Sequence, residues 1–443
     1  MARIRVPLRI ILSITIVTSY IIMAIIGPHF YPNIAEKWDD LDLWKNNPPN
    51  APPAFYGELR GLPKTEWLPG EYVDGRVIFT YDFKYSKVPR DILVLANSTR
   101  KIRITIITPL NESYTLYEGD PFPDGIYIGR NLLFAPDWER MKTEKCPNLD
   151  KKVMLRPPFS ILFTEPDTQD CFNNPKLVKG KYKIILEPFY FPDEKFSPKE
   201  SARILVQGES YGVLGTDPFG RDVWAGFIGS TRDTILVTIE GAFIAVGLSF
   251  LLGMSGAVRG KVGRLSNLIS RLLTIIPLLP FVGAVAIDLG TFNASKQMAT
   301  ARPIVVAFIL GLIVAGEASR SVRAIVKEEL RKGYVESAIA LGGNWSWILK
   351  KHMPRVLIPY SLHQFSITIP KILALITLLG FFSIVPGFNW GSIMSQTVVM
   401  GRTSLYSYNL NWWQVLPVAV SIAVLSVSFT LIATWIEDEF MKV

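Results

Sequence analysis

The stretch "VLPVAVSIAVLSVSFTLIATW", residues 415 to 435, carries no charged side chain, and a run of that length and polarity leaves a chain few places to go. About 20 predominantly apolar residues in a helix cross the roughly 30 Å hydrocarbon core of a bilayer, where every backbone polar group must be satisfied within the segment. Comparable runs occur at Ile10–Ile26, Thr234–Ala257, Leu265–Leu289, Pro303–Ala315 and Leu357–Val385, which predicts a polytopic α-helical membrane protein of about six transmembrane helices. The fourth, Pro303–Ala315, is short and runs into Glu317, so it has to tilt, continue past Glu317, or thin the bilayer. A composition of 49% hydrophobic and 19% charged residues over 443 positions agrees with a bilayer as the solvent.

Arg3, Arg5 and Arg9 precede the first run as in a secretory signal, yet "IIMAIIGPHFYPN" offers no small-residue cleavage site, so this run reads as an uncleaved anchor. Lysines and arginines near span ends stay on the cytoplasmic side. Six spans place three basic clusters there together: the N-terminal arginines, the loop "VRGKVGR" (258 to 264) and the segment from Arg320 to Arg355. Both termini are then cytoplasmic. The net charge of +9 reads as membrane topology and attraction to lipid headgroups, not as a nucleic-acid surface.

Between the first two spans the chain changes character. After the first helix (1–30), a Pro-rich stretch with "NNPPNAPPAFYG" suggests a semi-rigid linker (31–60). Residues 61–210 then alternate β-branched and aromatic residues in "GRVIFTYDFKY", "DILVLA", "KIRITIITPL", "SYTLYEG", "KGKYKIILEPFYF" and "ARILVQG". Turn residues separate these runs, as in a β-rich, sandwich-like insertion. The six-span topology makes this insertion extracytoplasmic. It holds the two cysteines of the chain, Cys146 and Cys171, which that compartment lets form a disulfide, although two buried free thiols would read the same way. The remaining spans and a cytoplasmic loop, 320–356, make up residues 211–443.

Several chemistries are missing from the sequence. No G-x-x-x-x-G-K-[ST] loop is present, so the chain has no phosphate cradle of its own. The three histidines, His29, His352 and His363, are scattered, so no metal site is expected. No nucleophile motif occurs, so no catalytic residue is assigned. A charge within a span costs about 2.5–3.5 kcal/mol on insertion scales and is a functional candidate by default. Lys371, inside the fifth run, is therefore a candidate for a transport pathway, with pairing to an acid across the bundle as the alternative. Asp288 reads as an interfacial residue.

The cytoplasmic segment "YVESAIALGGNWSWILKKHMPRVLIP" (334 to 359) reads as a short helix, a stop at Gly342-Gly343, and a second amphipathic helix capped by Asn344 and ended by Pro354. Such a knob suits a groove on a partner protein, or packs against its own bundle. At these residues the chain resembles the ABC importer permeases. "ESAIALGG" before "KKHMP" is similar to their E-A-A-x-x-x-G signature, with Glu336, Ala338 and Gly342 matching and Ser337 replacing the second residue. "LGTDPFGRDVWAGFIGSTRDTI" (214 to 235) resembles the L-G-T-D-x-x-G-R-D-V stretch that the dipeptide and oligopeptide branch carries before its second span, on Gly215, Thr216, Asp217, Gly220, Arg221 and Asp222. "GPHFYP" and "NWGSIM" resemble the same branch. The chain departs from the pattern where Pro354 closes the loop early, ahead of Arg355, and where the β-rich insertion replaces a short loop.

The resemblance implies a non-catalytic permease subunit of a plasma-membrane importer, translocating short peptides, or oligosaccharides, delivered by an extracytoplasmic solute-binding protein. It implies a second homologous permease and two ABC ATPase subunits as partners, with ATP and magnesium bound by the ATPases and no cofactor on this chain. Glu336, Ser337, Ala338, Gly342, Gly343, Trp345 and His352 would form the ATPase-coupling site. In the motif before the second span, Arg221 is expected to tie the turn together with Asp222, and Trp224 and Phe227 to anchor at the membrane interface. A membrane-anchored β-sandwich receptor or adhesin, and an ion-driven carrier, are the rival classes.

Overall fold

The computed structural model describes residues 6–98, 100–147, 159–171, 175–188, 201–258, 260–275, 303–342, 353–382, 387–395 and 411–441. The chain divides into two compact units, one of Asp40–Trp224 and one of Met1–Asp39 with Ala225–Val443.

Among the described residues the Asp40–Trp224 unit has nine strands: β1 (Glu66–Leu68), β2 (Gly70–Val73), β3 (Arg76–Phe83), β4 (Asp91–Asn97), β5 (Ile102–Ile107), β6 (Ser113–Gly119), β7 (Ile126–Tyr127), β8 (Gly180–Pro188) and β9 (Ser201–Gln207). They form two antiparallel sheets, ordered β1-β9-β4-β7 and β2-β3-β8-β5-β6. Period-2 alternation makes the strands. Val77, Phe79, Tyr81 and Phe83 of β3 point inward while Arg76, Thr80 and Asp82 face solvent, and Ile102, Ile104 and Ile106 repeat the pattern on β5. Register sets Phe79 opposite Ile184 and Tyr81 opposite Tyr182. These side chains meet Ile92, Val94, Ile204 and Val206 of the other sheet in one core. Phe163 completes it, with ring centroids 4.8 Å from Phe83 and 4.9 Å from Tyr182. Cys146, which follows the helix Trp138–Lys145, is bonded to Cys171, with Cα atoms 6.3 Å apart.

The Pro-rich stretch behaves differently from a spacer. Ala51 is fully buried, and Pro53 pairs with Tyr211 in an isolated bridge. Proline lacks an N–H, so it leaves few donors here to satisfy, and the donors that remain, on Asn50 and Ala51, are met by residues 216 and 217.

The second unit is helical: α1 (Leu8–Phe30), α2 (Val223–Ala257, belonging here from Ala225), α3 (Lys261–Ile275), α4 (Pro303–Glu329), α5 (Gly333–Ala340), α6 (Pro354–Phe381) and α7 (Trp412–Ile436). Among the described residues five helices, α1, α2, α4, α6 and α7, are long and apolar enough to cross a membrane, against the six expected. The difference falls at Leu265–Leu289. Its described part is the end of α3, whose Lys261, Arg264 and Arg271 break the apolar series; the rest, with Asp288, lies outside the described residues. α3 buries the small residues Gly263, Ser266 and Ser270 and turns Val262, Leu265, Leu268, Leu272 and Ile275 outward. This is the inside-out pattern of helices whose outer surface meets lipid. The shortfall at Pro303–Ala315 is resolved by continuation, since α4 runs through Glu317 to Glu329.

Small residues let the helices approach closely. A Cβ on Gly311 would stand 2.8 Å from the carbonyl oxygen of Gly241, and one on Gly253 would stand 2.6 Å from the Val322 side chain, so α2 and α4 meet backbone to backbone. Ile369, Ile372, Ile376 and Leu379 of α6 close the core over Val237, Ala242, Ala245, Ala307 and Leu310. The chain is a multi-pass membrane protein with a β-rich insertion after its first span.

Candidate functional site

Where α4 ends, the chain turns through residues 330 to 332 into α5. The Lys332 ammonium lies 2.8 Å from the Glu329 carboxylate, and the Tyr334 hydroxyl donates to the same carboxylate. Val335, fully buried, packs with Met353 against Leu330 and Leu357, which pins α5 to the ends of α4 and α6. Outward from that anchor, Ser337 is exposed with its hydroxyl donating to the Gly333 carbonyl at 2.9 Å, and Ala338 is half-buried. Glu336 lies in the same short helix. The Leu341 N–H closes the last turn on the Ser337 carbonyl, leaving the Leu341 side chain 90% exposed. Gly342 follows at φ +86°, a left-handed position that stops a helix at low steric cost only for glycine, and among the described residues nothing lies within 4 Å of where its Cβ would be. Among the described side chains of this short helix, Val335 is the buried anchor and Ser337 is exposed. Gly343, Trp345 and His352, with the second helix expected from Asn344, lie outside the described residues.

The motif before α2 is a clasp within the β-rich unit. Gly215 and Gly220 take left-handed conformations, at φ +71° and +79°. Thr216, fully buried, donates to the Pro48 carbonyl at 2.5 Å and accepts from the Ala51 N–H at 2.8 Å. Gly220 accepts from the Asn47 side-chain amide at 3.0 Å. Asp217 accepts from the N–H groups of Phe219 and Arg221, both at 2.9 Å. Its second oxygen takes the Arg221 guanidinium at 2.6 Å, with both side chains buried. Burial pushes the Asp217 carboxyl up, against the downward pull of Arg221 and the two N–H groups.

Arg221 and Asp222 each hold the turn through a different partner. The turn returns Arg221 over Asp217, four residues back, while Asp222 accepts from the Trp224 N–H at 2.9 Å and caps the start of α2. Phe227, expected at the membrane interface, is instead buried, its ring stacked on Trp390 at 5.4 Å. The "NWGSIM" stretch explains that contact. The Asn389 side-chain oxygen accepts from the N–H groups of Gly391 and Ser392, and Trp390 donates to Thr234 and Thr231 of α2.

Lys371 of α6 pairs at 3.2 Å with Glu317 of α4, at a cleft of about 430 Å³ lined also by Leu273, Thr274, Ile313 and Leu375. Glu317 counted in the sequence only as a span boundary. Glu240, in the apolar run "TILVTIEGAF" of α2, was missed although a charge in such a run is the signal itself; one of its carboxylate oxygens is buried with no hydrogen-bond partner among the described residues. No group of three or more metal-ligating side chains occurs among the described residues.

Residues 245–442 match the family of binding-protein-dependent transport system inner membrane components. The oligopeptide transport system permease protein OppC of Haemophilus influenzae is 29% identical over 48% of this chain and 67% of its own length. The probable D,D-dipeptide transport system permease protein DdpC of Escherichia coli is 26% identical over 62% of this chain and 93% of its own. Among solved structures, an inward-facing MetNI methionine ABC transporter chain aligns at 16% identity over 47% of this chain and 93% of that one, with a TM-score of 0.37. The family match over residues 245–442 and the two permease relatives support reading this chain as an ABC importer permease of the peptide branch.

Proposed function

We propose that this chain is one of two transmembrane subunits of an ATP-driven importer of short peptides. Two ABC ATPases, carrying the ATP and magnesium, dock on the segment around α5, a second permease completes the pathway, and a solute-binding protein delivers the peptide outside. The termini and α5 face the cytoplasm, and the β-rich unit faces the opposite side with the binding protein. The observation that carries the reading is α5 itself: pinned by Val335 and Met353, exposed at Leu341 and stopped by Gly342. A short helix anchored at one face transmits a push from a docked partner to α4 and α6 as a rigid body. ATP-driven closure of the ATPases thereby biases the bundle between inward- and outward-open states. Peptide as the solute rests on the two peptide-permease relatives.

The test is affinity co-purification of the chain from its native membrane, wild type against Gly342→Asp, with mass spectrometry of what comes along. Recovery of an ATPase pair and a second permease with wild type, and loss of the ATPases with Gly342→Asp, is the expected result. Folded wild-type chain that brings neither overturns it.

A further inference from the structure

Glu317 stands near the middle of α4, and Lys371 past the middle of α6, and their 3.2 Å bridge is exposed at the open side of the cleft. The rest of the described wall is apolar: Leu273, Ile313, Val314, Leu375 and Leu378, with the Thr274 hydroxyl turned back to the Ser270 carbonyl. A charge pair at this depth is not turned to lipid tails, which leave both ions without hydration; it faces water or another polar surface. An apolar cleft with a few convergent polar groups is the usual form of a small-molecule site.

We propose that Glu317 and Lys371 form a solute-contacting site on the translocation path and take the charged termini of a short zwitterionic peptide. This rests on the importer reading above and names a solute site within it. The peptide ammonium replaces Lys371 at Glu317 while the peptide carboxylate takes Lys371, so no charge is left unpaired in a low-dielectric cleft. The apolar walls accept varied side chains without discrimination. Because the bridge has to open for each solute and closes behind it, binding stays weak, as a path that must also release its cargo requires. An uncharged solute has nothing to exchange with the bridge.

The experiment is ATP-dependent uptake into proteoliposomes carrying the complete importer, with tri-alanine, its C-terminal amide and its N-acetyl form as probes. Uptake ratios are compared within each variant. The binding protein is common to all, so a change of ratio belongs to the permease. Lys371→Gln is expected to erase roughly tenfold of the preference for the free carboxylate while keeping that for the free amine, Glu317→Gln to do the reverse, and Lys371→Arg to restore the wild-type ratios. A structural role does not produce this crossed pattern. Unchanged ratios in both glutamine variants overturn the site. So does a Glu317→Lys/Lys371→Glu double variant that recovers wild-type rates and ratios where the single variants lose subunit assembly, which makes the pair a strut or a subunit seam. Wild-type importer that moves none of the peptides under ATP overturns the peptide-importer reading, and the site falls with it.

Discussion

Lys145 lies at the end of the helix Trp138–Lys145 with its side chain 1% exposed, its ammonium 3.4 Å from the Glu112 carboxylate and 5.2 Å from the Tyr114 ring centre. Burial pushes this ammonium down from its ordinary value of 10.5, and Glu112 only partly offsets that. The folded state therefore binds fewer protons than the unfolded chain between the depressed value and 10.5. Stability rises with pH through that interval, and the full cost is present below it. Lys145→Met is expected to raise the stability of the β-rich unit at neutral pH by roughly 1–2 kcal/mol and to flatten the alkaline rise, read by thermal unfolding across pH. A lower melting point in the variant means that the Glu112 pair outweighs the burial. Asp217 and Arg221 pose the same problem: each buried charge meets the other at 2.6 Å and the carboxylate also takes two backbone N–H groups, and burial still pushes the carboxyl up.

Among elements, the helix start at residues 389 to 392 shows how far a local motif depends on its surroundings. Its own hydrogen bonds, from the N–H groups of Gly391 and Ser392 to the Asn389 side-chain oxygen, are within reach of sequence reasoning, since asparagine is a preferred helix N-cap. Its requirement for glycine is not, because the obstacle comes from α6: a Cβ on Gly391 would stand 2.0 Å from the Thr377 carbonyl oxygen and 2.6 Å from the Phe381 nitrogen. Backbone cannot step aside as a side chain does. Gly391→Ala is expected to abolish accumulation of folded chain, read by size-exclusion chromatography of the detergent-solubilised protein, whereas a monodisperse peak at wild-type yield refutes the packing argument. Glycines 241 and 311 belong to the same class, with α2 and α4 in contact through them.

At the scale of the whole molecule, the two units are held together by different physics. The β-rich unit has an alternating sandwich core and the Cys146–Cys171 bond, and the helical unit has apolar helices joined at small residues. The bond spans 25 residues of sequence, for which chain entropy gives a stabilisation of about 3.5 kcal/mol. Reduction is expected to lower the melting point of the β-rich unit and to leave the helical circular-dichroism transition in place. A joint shift of both transitions refutes independent cores. Such independence suits a permease whose helices rearrange while the insertion keeps its shape.

Segments whose sequence periodicity matched their solvent were legible before the fold. The run at 415 to 435 is a helix and the alternation through Val77, Phe79 and Tyr81 is a strand, because each signal is local and repeated. Partners across the chain were not legible. That Arg221 meets Asp217, that Phe227 stacks on Trp390, that proline-rich residues 48 to 53 pack against Thr216, and that Lys371 finds Glu317 are facts of tertiary approach. Periodicity states which face of an element is apolar, while the identity of the atoms that arrive at a polar group is decided only when separate elements dock.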